Sequence, residues 1–122
     1  MKKILIADDE PNIIMSLEYT FRKQQYQVFI ARDGVEALDI LKTETPEIII
    51  LDIMMPNLDG YSVIENIKKN LDLAGCKILI LSAKNKESDI EKGLALGADA
   101  YMTKPFSVKK LIEKAAELTQ PS

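Results

Sequence analysis

Ile48-Ile49-Ile50-Leu51-Asp52 is the stretch that decides the architecture of this chain. Four consecutive apolar residues, three of them β-branched, read as a short strand buried on both faces, as in a parallel sheet. Asp52 stands where that strand ends, and open α/β sheets build their sites at the carboxyl edge. The start of the chain repeats the arrangement, with Ile4-Leu5-Ile6-Ala7 running into Asp8-Asp9. Taken singly, each acid is an ordinary solvated loop residue. Together, two strand ends bring three acids towards one place. Two carboxylates ~5 Å apart repel by about 3 kcal/mol at an effective dielectric of 20, whereas an exposed ion pair returns only about 0–1 kcal/mol. Such a group therefore calls for a multivalent cation, a buried lysine or a raised pKa.

Outward from these strands the pattern alternates. Pro11 suits a first helical turn, and Ile13, Ile14, Leu17 and Phe21 carry a helix to about Gln24. Tyr26 to Ala31 reads as a second strand. Asp33-Gly34 is compatible with a hairpin turn, but Asp33 with Glu36 forms a capping box and Val35, Ala37, Leu38 and Leu41 continue with helical period, so a second helix is expected. After the central strand, residues 54–60 form a loop shaped by Pro56 and Gly60. Asp59 then caps a third helix carrying Tyr61, Val63, Ile64 and Ile67. Lys77 to Leu81 is a fourth strand finishing at Ser82-Ala83, followed by a helix over about Lys86 to Leu96. Asp99 to Thr103 is a fifth strand. Ser107 caps a last helix with apolar positions Val108, Leu111, Ile112, Ala115 and Leu118. Five β/α units with short connections predict an α/β fold: a five-stranded parallel sheet with alternating helices on both faces.

Composition bounds the function. The 122 residues make one domain with 47% hydrophobic and 29% charged residues and a net charge of −3, so no general basic footprint for nucleic acid is present. Lys109, Lys110 and Lys114 are interleaved with glutamates and read as a solvated helix face. The single cysteine, Cys76, excludes an internal disulfide and a thiolate cage, and fits a buried position and a reducing cytoplasm. No apolar run approaches the ~18–20 residues of a membrane span. Histidine is absent, so any phosphohistidine in the chemistry belongs to another molecule.

The expected carboxyl edge thus carries Asp8, Asp9, Asp52, Ser82 and Lys104. Hard carboxylate oxygens without histidine or thiolate suit Mg²⁺, with Mn²⁺ a possible substitute. A phosphoryl group there meets a cation, a lysine and a hydroxyl donor, as phosphoryl transfer requires. A carboxylate can serve as the covalent acceptor.

The segments "ILIADDE", "ARDGVEAL", "IIILDIMMPNLDGY", "LILSA" and "GADAYMTKPF", in this order and spacing, resemble the receiver domains of two-component response regulators, the CheY-like superfamily, over essentially the whole chain. The resemblance implies the flavodoxin-like strand order 2-1-3-4-5 and a receiver domain over residues 1–119, with 120–122 a tail or the start of a linker. It implies that Asp52 is the phosphoacceptor. Asp9 is then a direct Mg²⁺ ligand, Asp8 a ligand through water, and the Met54 backbone carbonyl a further ligand. Ser82 is the switch hydroxyl, Lys104 the phosphoryl partner, Lys104-Pro105 a cis peptide, and Tyr101 the aromatic whose rotamer reports the state. By itself Tyr101 reads as a half-buried strand aromatic, Met54 and Met55 as packing or rim residues, and Lys84 as a solvated loop lysine. Met54 and Lys84 are nonetheless expected to flank the mouth of the site and obstruct attacking water.

The implied partners are a histidine kinase or histidine phosphotransfer protein and a downstream protein target or output domain, with no direct nucleic-acid or membrane binding and a cytoplasmic location. The chain modifies only its own side chain and is not an enzyme in the turnover sense. Winged-helix regulators of this family often dimerise through charges on the fourth helix, fifth strand and fifth helix. Here Ala100 follows Asp99 where a second acid is common, and lysines replace the pairing arginines, which favours a monomer or weak dimer. Two other readings compete. A Mg²⁺-dependent aspartyl-phosphate phosphohydrolase of haloacid-dehalogenase type needs a second aspartate two residues after the nucleophile, where this chain has Met54. A non-phosphorylated pseudo-receiver typically lacks an acid or the lysine, and this chain has them all.

Overall fold

The structure, a computed structural model, describes residues 1–121. Five strands, β1 (Lys3–Ala7), β2 (Gln27–Ala31), β3 (Ile48–Leu51), β4 (Lys77–Ser82) and β5 (Ala100–Thr103), alternate with α1 (Pro11–Lys23), α2 (Gly34–Ile40), α3 (Gly60–Lys69), α4 (Glu87–Leu96) and α5 (Val108–Leu118). All pairings are parallel, in the order β2-β1-β3-β4-β5, the order that the resemblance implied. Strand bounds differ from the expected ones by a residue or so. A 3-10 turn at Leu71–Leu73 was not anticipated.

Each central strand divides its side chains between two cores, because successive residues point to opposite faces. Leu5, Ile49, Leu51, Ile78 and Ile80 pack against α2 and α3 through Ala37, Val63, Ile64 and Ile67. Ile4, Ile6, Ile48, Ile50, Leu79 and Leu81 pack against α1 and α5 through Leu17, Phe21, Leu111 and Ala115. Full burial of each large aliphatic side chain contributes about 1.5–3 kcal/mol. That explains why a run without polar alternation is needed in β3. Cys76 is buried just before β4, as expected.

The capping residues read from the sequence act at three helices. Asp59 accepts from Ser62 N–H at 2.9 Å and Ser107 accepts Lys110 N–H at 3.2 Å. Asp33 accepts from Glu36 N–H at 2.7 Å, but the Glu36 carboxylate reaches back to Arg32 N–H, one residue before the cap. Val108, expected on the apolar face of α5, is 40% exposed. No helix among the described residues is long and apolar enough to cross a membrane.

Candidate functional site

Register brings the acids together. Ala7 pairs with Leu51 across β1 and β3, and Asp52 N–H donates to the Ala7 carbonyl at 2.9 Å, so Asp8 and Asp52 leave adjacent strands at the same level. Both are buried, as is Ser82 at the end of β4. Lys104 follows β5, its N–H bonded to the Ser82 carbonyl at 2.9 Å, and Lys104-Pro105 is cis.

The Lys104 ammonium is the hub. Its Nζ lies 2.8 Å from Asp8 Oδ2, 3.0 Å from Glu10 Oε1 and 3.2 Å from Asp52 Oδ2. Carboxylate oxygens of Asp8, Glu10 and Asp52 fall within 4.8 Å of one another, a spacing that can hold a metal ion. Three carboxylates and one ammonium leave two negative charges uncompensated, which favours a divalent cation. Burial raises the Asp8 carboxyl pKa. The bonds from Lys104 and Glu10 N–H oppose that shift, and the Asp52 charge adds to it. Burial pulls the Lys104 ammonium down, but its bonds to Asp8 and Glu10 and the Asp52 charge outweigh this and hold it above the ordinary lysine value.

Among the described residues every buried side-chain polar atom has a partner. Asp8 Oδ1 accepts Glu10 N–H at 2.9 Å, Asp52 Oδ1 accepts Met54 N–H at 3.3 Å, and Ser82 Oγ accepts Lys84 N–H at 3.3 Å. Tyr101 is half-buried, and its hydroxyl donates to the Lys84 carbonyl at 2.8 Å.

Asp9 is exposed and outside the carboxylate group. It lines a neighbouring cavity of about 590 Å³ together with Met54, Met55, Tyr61 and Lys84. The two methionines differ: Met55 is 8% exposed and packs in the core, whereas Met54 is 59% exposed on the rim. Gly60 N–H donates to the Ile53 carbonyl at 2.9 Å and closes the loop after β3.

Two residues were not singled out from the sequence. Glu10 joins the carboxylate group, and its only signal was the third acid in Asp8-Asp9-Glu10. Asn57, in a left-handed conformation at φ 70°, donates through its side chain to Asp33 Oδ2 at 2.7 Å, tying the loop after β3 to the start of α2.

Comparison with known proteins places this geometry. The model of the response regulator receiver domain matches residues 4–116. The alkaline phosphatase synthesis transcriptional regulatory protein PhoP of Bacillus subtilis (strain 168) is 43% identical over 127 aligned positions, covering 99% of this chain and 52% of that protein. The chain thus spans about half the length of that curated relative. The receiver domain of the Francisella response regulator 1452 superposes with a TM-score of 0.90 at 34% identity, covering 98% of this chain and 97% of that one. The receiver domain of the sensor histidine kinase PA1611 from Pseudomonas aeruginosa PAO1, with a magnesium ion coordinated in its active-site cleft, gives a TM-score of 0.89 at 27% identity and 97% coverage of both chains. The chain belongs to the response regulator receiver domain family, the signalling switches of two-component systems.

Proposed function

We propose that Asp52 accepts a phosphoryl group from a phosphohistidine on a partner histidine kinase or histidine phosphotransfer protein. The observation that carries this is the buried Asp52 carboxylate, held between strand ends with the Lys104 ammonium 3.2 Å from Oδ2. An Asp52 oxygen attacks phosphorus, the P–N bond to the donor imidazole breaks, and its electron pair returns to the ring. The donor imidazole lies outside residues 1–122, which contain no histidine.

Asp52, Asp9, the Met54 carbonyl and, through water, Asp8 are the ligands proposed for Mg²⁺ or Mn²⁺. All are hard oxygen donors; Asp8 and Asp52 belong to the 4.8 Å carboxylate group, and Asp9 and Met54 line the cavity beside it. The bound cation supplies neutralisation of the phosphoryl oxygens. Lys104 and the Ser82 hydroxyl take the remaining phosphoryl charge. Recruiting Ser82 shifts the loop it shares with Lys84, whose carbonyl holds Tyr101. The surface of α4, β5 and α5 then changes population and partner affinity. The output is binding to a downstream target or output domain in the cytoplasm, with residues 1–119 as the receiver unit and no direct nucleic-acid contact by it. Of the tail assigned to 120–122, Ser122 lies outside the described residues.

Intact mass after incubation with Mg²⁺ and acetyl phosphate tests this reading. One added phosphoryl group is expected, absent in Asp52→Asn and in EDTA. A folded, Mg²⁺-binding wild type that gains no phosphoryl group and does not bind beryllofluoride is a pseudo-receiver. Steady release of phosphate from small phosphoesters would instead identify a phosphohydrolase.

A further inference from the structure

The reaction proposed above gives Glu10 no part, although its carboxylate belongs to the group. Glu10 stands at the N-cap of α1, where a side chain ordinarily accepts from the helix's first N–H groups. It makes no such bond. Its Oε1 accepts from Lys104 Nζ at 3.0 Å instead. Its side chain is 56% exposed, against 4% for Asp8 and 5% for Asp52. Of the three acids sharing Lys104, it alone is free to move.

An ammonium has three protons to donate. Lys104 places them on Asp8, Glu10 and Asp52, leaving none for an incoming phosphoryl oxygen. Asp8 and Asp52 are fixed by burial and by their bonds to Glu10 N–H and Met54 N–H. The bond that yields at least structural cost is the one to exposed Glu10. We infer that Glu10 is a positioning residue: it holds the Lys104 ammonium at the outer edge of the acid group until a phosphoryl group displaces it, and its charge there disfavours dianionic phosphodonors. The donor half of this rests on Asp52 being the phosphoacceptor; the Lys104 half does not.

Two variants separate reach from charge. Glu10→Gln keeps the length and removes the charge, whereas Glu10→Asp keeps the charge and shortens the reach by one methylene. In metal-free protein, solvent exchange of the Lys104 ammonium protons, read by ¹H–¹⁵N NMR, is expected to quicken in both. Unchanged exchange in both overturns the positioning role. With Mg²⁺ present, phosphorylation rates by acetyl phosphate, a dianion, and phosphoramidate, with one less net negative charge, are compared as a ratio. Glu10→Gln is expected to raise the acetyl phosphate to phosphoramidate ratio roughly threefold, the effect of one unit charge at ~6 Å in a water-like dielectric. Glu10→Asp is expected to keep the wild-type ratio. The same ratio in all three proteins overturns the charge role. Wild type that accepts from neither donor overturns both the Asp52 reading and the donor half, while the exchange measurement still decides the Lys104 half.

Discussion

Tyr101 illustrates how one side chain records its surroundings. Burial pushes its phenol up to about 12 from the ordinary 10.0, with the Tyr61 and Asp89 charges adding to the shift. A raised phenol means that the folded state keeps its proton where the unfolded chain loses it. Stability therefore falls as pH climbs from 10 towards 12. Tyr101→Phe keeps the ring but loses the 2.8 Å bond to the Lys84 carbonyl, a cost of about 1 kcal/mol at neutral pH. Denaturant unfolding should show that deficit at pH 8 and show it shrinking by pH 11, and a deficit independent of pH would refute the shift. Met54 and Lys84 both line the cavity beside the site. A thioether and a long cationic stem there are expected to hinder water approaching an acyl phosphate on Asp52. Met54→Asn with Lys84→Glu should speed loss of the phosphoryl group by about tenfold, or ~1.4 kcal/mol off the barrier. An unchanged decay rate, followed by intact mass, would remove the idea.

At the scale of elements, the loop after β3 is gripped from two sides. A Cβ on Gly60 would collide with the Asp52 carbonyl, and one on Gly34 would collide with the Leu58 carbonyl. Asn57 adds its bond to Asp33. Gly60→Ala must therefore push the Asp52 peptide aside. A loss of about 1–3 kcal/mol is expected from overpacking, together with slower phosphorylation. Gly75→Ala meets nothing within 4 Å and should stay within about 0.5 kcal/mol of wild type. Thermal unfolding and acetyl phosphate labelling of the two variants check this. Such grips explain what the sequence made legible. Buried strands announce themselves by unbroken apolar runs, and caps by a polar residue before a periodic stretch. Asp8, Asp52 and Ser82 were legible because each sits where such a run stops, and Lys104 because it follows the shorter, half-buried fifth strand. Glu10 was not, because a third acid in a row looks solvated until α1 turns it back to Lys104. The Leu71–Leu73 turn is too short to carry a period, and exposed Val108 satisfies the helical spacing while lying beyond the reach of the sheet.

Across the whole molecule, α1 and α5 cover one face of the sheet and α2, α3 and α4 the other, so that α4 and α5 flank the edge strand β5. A dimer joined through charges on that edge needs free acids opposite free bases. Asp99 offers little, because its carboxylate accepts Ile78 N–H at 2.8 Å and anchors the start of β5 against β4. Ala100 follows it with no charge. Lys114 lies 3.4 Å from Glu117 on its own helix. Lys109 and Lys110 remain exposed, as do Glu87 and Glu91 on α4 and Glu113 on α5, so any charge pairing between two copies would join fully solvated groups. Exposed pairs return only about 0–1 kcal/mol each. The activated protein should accordingly sediment as a monomer, with any self-association weaker than ~100 µM, about 5.5 kcal/mol. Sedimentation with Mg²⁺ and beryllofluoride is the measurement. A tight dimer that Asp99→Ala abolishes would show that the β5 anchor opens on activation and frees its carboxylate for the partner copy.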